Sequence, residues 1–203
     1  MNTLQSIKER LISGQEVFDD EIDFLLKPEY HVHSERHFTS VYVAQLAVDF
    51  LTEKGNQHIL DIGSGTGKFC FIGGLLSEST FTGIEYRKEF IEEATRLKEL
   101  AGLSNVNYIQ SNIIHLTFDS YDAFYMFNPF LEQIDGTATM DSGLEPSTTL
   151  YRNYHHHVAH QLELKPIGTR LVTYYVHEDF IPNAYKPMQR RLQQTLVFWE
   201  KME

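Results

Sequence analysis

The apolar positions of this chain change rhythm near residue 58. Before it they recur at helical spacing, and after it short apolar runs alternate with stretches of helical spacing. Residues 3–13 and 16–26 read as two short helices, the second acidic at Asp19, Asp20, Glu21 and Asp23 and closed by Pro28. Residues 40–54 predict a third helix. Its Val41, Val43, Ala44, Leu46, Ala47, Phe50 and Leu51 cover more than one face, so burial against a sheet is expected, with Gly55 as the stop. Strands are then predicted at 58–62, 80–85, 106–110, 123–127 and 170–176, and helices at 68–76, 87–101 and 147–164. In the second of these helices Phe90, Ala94, Leu97 and Ala101 share one stripe, and Gly102 ends it.

Strands separated by helices require crossovers and hence a mostly parallel sheet. The runs 190–192 and 196–199 stand too close for a crossover helix and predict a terminal hairpin. The expected fold class is therefore α/β: a doubly wound, mostly parallel sheet with a C-terminal antiparallel hairpin strand and an N-terminal helical extension. The expected division is an extension over 1–39 and a ligand-binding domain over 40–203, with no internal repeat or low-complexity tract.

Composition narrows the class. A chain of 203 residues can bury a full single-domain core. No run of eighteen apolar residues occurs and the first residues lack a signal peptide's hydrophobic stretch, so a cytosolic protein without membrane contact is expected. The single cysteine, Cys70, excludes an internal disulfide framework and a cysteine-based zinc site; it is expected to be a small buried residue. A net charge of -11, from 17 basic and 28 acidic residues, repels polyanions at long range. A small-molecule or protein acceptor is thus favoured over nucleic acid, although Arg87-Lys88 and residues 186–191 offer local basic patches.

The densest chemical signal is Ile-Leu-Asp-Ile-Gly-Ser-Gly-Thr-Gly over residues 59–67, a strand running into glycines at 63, 65 and 67. Such glycines open torsions closed to other residues and remove side chains that hold a ligand off the backbone. Helix-compatible sequence follows from Lys68, whose unpaired N–H groups would face a ligand in the turn. A P-loop is excluded because Ile62 stands where its first glycine belongs and Phe69 where its magnesium-binding hydroxyl belongs. The dinucleotide register from Gly63 and Gly65 fails at Lys68, leaving only an offset match through Gly65 and Gly67. A second acid, Glu85, closes the next strand pattern, Phe-Thr-Gly-Ile-Glu; there a carboxylate can accept hydrogen bonds from both ribose hydroxyls.

The pattern acidic-x-Gly-x-Gly-x-Gly resembles the first motif of class I S-adenosylmethionine-dependent methyltransferases, whose acidic residue falls on Asp61. The resemblance covers about residues 40–203 and implies the Rossmann-like methyltransferase fold, with S-adenosyl-L-methionine as cofactor. It also implies Glu85 as ribose ligand, with Ser64 of the turn and Tyr86 beside it. Asn112 stands where the family often has an Asp that accepts from the adenine amino group; an Asn carbonyl can do the same, and Asn also shapes turns. Ile113 would pack on the adenine. Asn128-Pro129-Phe130 resembles, with one proline missing, the Asp/Asn-Pro-Pro-Tyr/Phe motif of methyltransferases acting on planar amino nitrogens. That resemblance implies a catalytic role: acceptors aimed at the NH2 group, from Asn128 and a backbone carbonyl, and a ring that stacks on the substrate. Asn-Pro also starts ordinary turns. Phe38-Thr39-Ser40 is similar to the Phe-Thr-Pro of amino methyltransferases, where it helps hold the methionine end of the cofactor; Thr39 or Ser40 also serves as an N-cap.

Other side chains remain open. His155, His156, His157 and His160 cluster on one helix, and His156 with His160 has i, i+4 metal spacing, but no third ligand is evident. His31, His33 and His37, with Tyr30, are placed by chain order at the entrance of the site, and a loop over 131–148 with Gly136 and Gly143 is a candidate closure. Two alternatives to a methyltransferase stand: a non-catalytic cofactor-binding partner subunit, and a nicotinamide-dependent oxidoreductase using the offset glycines. Acceptor identity and oligomeric state have no sequence signal.

Overall fold

A computed structural model of the chain describes residues 3–31, 38–135 and 146–203. Three helices, α1 (Thr3–Ile12), α2 (Asp19–Asp23) and α3 (Pro28–His31), precede α4 (Val41–Thr52). The alternating part then runs β1 (His58–Ile62), α5 (Lys68–Leu76), β2 (Thr80–Glu85), α6 (Lys88–Ala101), β3 (Val106–Gln110) and β4 (Ala123–Phe127). It continues through α7 (Thr148–Glu163), β5 (Arg170–Tyr174), β6 (Tyr185–Arg191) and β7 (Leu196–Lys201). One seven-stranded sheet results, in the order β3-β2-β1-β4-β5-β7-β6. The strands from β3 to β5 pair in parallel, and β7 lies antiparallel between β5 and β6. The doubly wound α/β expectation is met.

Strand alternation sorts the core into two layers. On one face Ile59, Phe81, Val106, Tyr125, Val172 and Phe198 pack against α1, α4, α5 and α6. On the other, Leu60, Ile62, Ile84, Phe124, Met126, Leu171 and Trp199 pack against Val158 and Leu162 of α7. Helix α4 buries Val41, Val43, Ala44, Ala47, Val48 and Leu51, as its sequence required, and Ser40 caps it by accepting from the Val43 N–H at 3.3 Å.

Several boundaries differ from expectation. Pro28 does not close a long second helix; it opens α3, where its fixed φ and missing N–H suit a first helical position. The predicted helix over 16–26 shrinks to α2. Strand β5 stops at Tyr174 because Tyr175 takes a left-handed φ of 53°. Strand β6 begins at Tyr185, earlier than predicted, because its exposed edge face carries no apolar alternation, and edge strands tolerate Pro187. Arg87 is not part of a basic patch: it is buried, paired with Glu132.

Polar contacts fasten the N-terminal helices to the glycine-turn end of the sheet. Lys68, the first residue of α5, is buried and reaches Asp19 at 2.8 Å and Asp23 at 2.7 Å. Asp19 also accepts from the Val41 N–H at 2.8 Å, so one carboxylate ties α2 to the starts of α4 and α5. Glu93, fully buried on α6, accepts from the Lys27 N–H at 2.8 Å. Burial pushes its carboxyl up, but Arg96 and that amide overcome the push and leave it below the ordinary value. Lys68→Met is expected to destabilise the protein by about 3 kcal/mol in a denaturant titration, because it strips two carboxylates of their shared cation.

Candidate functional site

The turn after β1 is built by close backbone approach. Gly63, Gly65 and Gly67 hold φ values of 75°, 54° and 78°, all left-handed. A Cβ at Gly63 would stand 2.6 Å from the Pro129 Cβ, and one at Gly67 would overlap the Tyr108 hydroxyl, which instead donates to the Gly67 carbonyl at 3.2 Å. Gly83 on β2 is equally constrained, since a Cβ there would lie 2.6 Å from the Ser64 Cβ. The Gly63 and Ser64 N–H groups both donate to the Ile84 carbonyl at 3.0 Å, which locks the turn to β2. Among the described residues, the amides of Thr66, Lys68 and Phe69 donate to no acceptor, so free donors gather at the start of α5.

Beside this turn, at the carboxyl ends of β1 to β4, lies a cavity of about 170 Å³. Open parallel sheets bind ligands at this position. Of the residues singled out in the sequence, Gly63, Glu85, Tyr86, Asn112, Ile113, Pro129 and Phe130 line it. Ser111 at the end of β3 and Glu132 and Gln133 of the candidate closing loop line it too, as do Ile84, Arg87, Leu150 and Tyr154, which were not foreseen. Ser111 was legible as the residue after β3, whereas Leu150 and Tyr154 are ordinary helix residues with no local signal.

Glu85 and Glu132 are the two acids that line this cavity, and Glu85 closes β2. One carboxylate oxygen of Glu85 accepts from the Tyr86 and Arg87 amides at 2.9 and 3.0 Å, and the other from the Gly65 N–H at 3.3 Å. Burial pushes its carboxyl above the ordinary value, against the pull of the Arg87 amide and guanidinium. Arg87 in turn pairs with Glu132, which also accepts from the Tyr86 hydroxyl at 3.2 Å. That carboxylate sits in the 3-10 turn after the Asn128-Pro129-Phe130 segment, so buried charge joins the end of β2 to the loop after β4.

The remaining predicted residues divide. Asn112 acts as a turn cap: its Oδ1 accepts from the Ile114 N–H at 3.2 Å and its Nδ2 donates to the Tyr154 hydroxyl at 3.1 Å. Asp61 lies beneath the turn, buried, and accepts from the Cys70 thiol at 3.6 Å. Burial pushes Asp61 up to about 8, only partly opposed by the thiol. Phe38 packs against Gly65, and the Thr39 hydroxyl bonds the Tyr125 hydroxyl at 2.9 Å. Asn128 leaves β4 with a left-handed φ of 35°, and among the described residues its side chain makes no hydrogen bond. Phe130 is buried with its ring against Tyr154 and His155. His33, His37, Gly136 and Gly143 lie outside the described residues. Tyr30 is buried and donates to the Glu89 carbonyl, and His31 bonds the Leu26 carbonyl at 3.0 Å.

The histidine cluster scatters. His156 and His160 are exposed, and His157 bonds the Leu116 carbonyl at 3.0 Å. His155 is buried and stacked on Phe180 at 3.8 Å, with both ring nitrogens unpartnered. Among the described residues no three potential ligands converge on a metal position.

A family model described as a methyltransferase domain matches residues 53–194. A release factor glutamine methyltransferase of Fusobacterium nucleatum is 36% identical over 76 residues, which are 37% of this chain and 21% of that protein, so the chain spans about a fifth of that relative. Among solved structures, TrmN from Thermus thermophilus is similar with a TM-score of 0.61 at 19% identity, over 83% of this chain and 51% of that one. An RNA methyltransferase from Salinibacter ruber, in complex with S-adenosyl-L-homocysteine, gives 0.54 at 16% identity over 80% and 90%. The N-methyltransferase NodS from Bradyrhizobium japonicum gives 0.54 at 13% identity over 79% and 94%. At these identities the structural likeness is one of fold.

Gly63→Ala combines a left-handed φ with a contact against Pro129, and is expected to cost at least about 2 kcal/mol in denaturant unfolding. Burial holds His155 down at about 4 against 6.5 for the free side chain, so the unfolded chain takes up a proton first as the medium is acidified. Stability is therefore lost as pH falls from about 6.5 to about 4, and His155→Phe is expected to flatten this limb of a melting-temperature profile by the equivalent of about 3 kcal/mol.

Proposed function

This chain belongs to the methyltransferase-domain family, and from that premise we propose that it uses the cavity beside the glycine turn to hold S-adenosyl-L-methionine and methylates a planar amino nitrogen. When bound, the cofactor supplies a sulfonium-linked electrophilic methyl group. The residues present fit it. Glu85 offers a carboxylate to ribose hydroxyls from the floor of the cavity, and Ile113 offers an apolar wall to a flat base. Bare backbone at Gly63 and Gly65 admits close approach, and the free amides at the start of α5 suit a carboxylate. In this reading Ser64 and Gly67 belong to the turn that meets the cofactor, Phe38 packs against it at Gly65, Asp61 lies beneath it, and Thr39 is fixed by Tyr125 at the start of α4. Tyr86 and Arg87 hold Glu85 through their amides, and Phe130 and Asn112 complete the cavity's wall. Residues 40–203 then form the catalytic unit and residues 1–39 an extension.

The observation that carries the acceptor assignment is the contact between Gly63 and Pro129. It brings the Asn128-Pro129-Phe130 segment against the glycine turn, with the Asn128 side-chain amide, which makes no hydrogen bond among the described residues, one residue away. An amide oxygen there can accept from an NH2 group and bear the charge that grows on nitrogen as the methyl is transferred. No dedicated base is needed, because the ammonium proton leaves afterwards. The relative matched over 76 residues is named for action on a glutamine, whose side chain is itself a planar amide, and this supports a nitrogen acceptor.

Isothermal titration with S-adenosylhomocysteine and with NAD tests the cofactor. The former is expected to bind and the latter not, and Glu85→Ala is expected to weaken the former by about 10- to 100-fold. Binding of NAD alone would overturn the reading. With an acceptor found by profiling nucleosides, peptides and metabolites against labelled cofactor, Asn128→Ala is expected to lower kcat by about 100-fold while S-adenosylhomocysteine affinity stays within about twofold. An unchanged kcat would remove Asn128 from the chemistry.

A further inference from the structure

Strands β4 and β5 end side by side, and both end in the same unusual way. Phe127 is paired in register with Tyr174, and the Asn128 N–H donates to the Tyr174 carbonyl at 3.0 Å. The next residue on each strand, Asn128 at φ 35° and Tyr175 at φ 53°, is a non-glycine in the left-handed region. Side chains other than glycine adopt that conformation at a cost, and such residues gather at functional sites. Tyr175 is bulky, and its N–H donates to the Thr195 carbonyl at 2.9 Å, which holds the backbone beside β7. The strand ends just before it, and Tyr175 is 55% exposed.

It is not an isolated ring. The centroids of Tyr174 and Tyr175 lie 4.6 Å apart, those of Phe127 and Tyr174 4.7 Å, and those of Phe127 and Tyr175 6.2 Å. Three rings therefore adjoin Asn128 and the strand-end backbone. Phe130, which the sequence motif offers as the stacking ring, is 8% exposed and has Tyr154 and His155 against it. Its ring stands in the opposite core layer, where with Ile113 it walls the cavity assigned to the cofactor. Phe127 and Tyr174 belong to the layer of Tyr125 and Phe38, across the sheet from Phe130. The free aromatic surface beside Asn128 thus comes from the end of β5.

Resting on the methyltransferase reading above, we propose that Tyr175, backed by Tyr174 and Phe127, is the platform on which a flat heteroaromatic amine stacks as it presents its amino group to Asn128. Offset stacking on exposed tyrosine suits a conjugated ring, and the hydroxyls of Tyr174 and Tyr175 add polar handles at its rim. The acceptor is a small heteroaromatic compound, because the charge of -11 opposes a polyanionic strand.

The test uses the full chain saturated with S-adenosylhomocysteine and 2-aminopurine as the probe, whose fluorescence is quenched on stacking. Quenching by the wild type is expected, with binding weakened at least about tenfold in Tyr175→Ala and kept within about twofold in Tyr175→Phe. N-acetylglutamine amide is expected to displace the probe only weakly. S-adenosylhomocysteine affinity, measured by titration, is expected to be the same in all three proteins, which controls for folding. Absence of quenching in the wild type, equal quenching in Tyr175→Ala, or strong displacement by the amide would overturn the platform while leaving the cofactor reading intact. Failure of S-adenosylhomocysteine to bind the wild type would overturn both.

Discussion

Three stretches of chain meet at the carboxyl ends of β1, β2 and β4 at a distance that leaves no room for a Cβ at Gly63 or Gly83. Gly63 lies against Pro129 and Gly83 against Ser64, and the left-handed torsions of the turn keep both contacts closed. The sheet order follows from the crossovers, but the cavity exists because this junction is tight. The turn ends low enough for Glu85 to receive the Gly65 amide, and the segment after β4 comes near enough to form the opposite wall. A Cβ at Gly63 or Gly83 would push apart the two halves of the site at their point of contact.

Buried charge extends this junction outward. Arg87 pairs with Glu132, so the turn that follows Asn128-Pro129-Phe130 is anchored to the end of β2, next to Glu85. On the other side, Lys68 sits with Asp19 and Asp23, which fixes the N-terminal helices to the first turn of α5. Breaking one partner of such a pair is expensive because a charge is left in a poor dielectric, so both pairs limit how far these segments can shift. The ends of β4 and β5 carry instead the left-handed Asn128 and the left-handed, exposed Tyr175.

Much of this was legible in the sequence. The periodicity of apolar residues gave each strand of the parallel sheet, because buried strands and amphipathic helices must differ in period. The glycine spacing and Glu85 located the cavity, since their chemistry is local. The failures were of two kinds. Where structure depends on distant partners, as for Arg87 with Glu132 or Asn112 with Tyr154, spacing along the chain carries no signal. Where a motif was only partly matched, side-chain direction decided: Phe130 points into the core beside His155, and Tyr175, part of no motif, is left facing outward. Strand β6 was read short because an exposed edge has no apolar alternation to read.

The central claim is that Glu85 and the bare turn after β1 grip the adenosyl group, and a crystal structure of the complex with S-adenosylhomocysteine tests it most directly. The account predicts ribose hydroxyls within hydrogen-bond distance of the Glu85 carboxylate, the base against Ile113, and the sulfur pointing toward Asn128. Density elsewhere on the molecule, or a ribose that leaves Glu85 bonded only to the amides of Gly65, Tyr86 and Arg87, would contradict it.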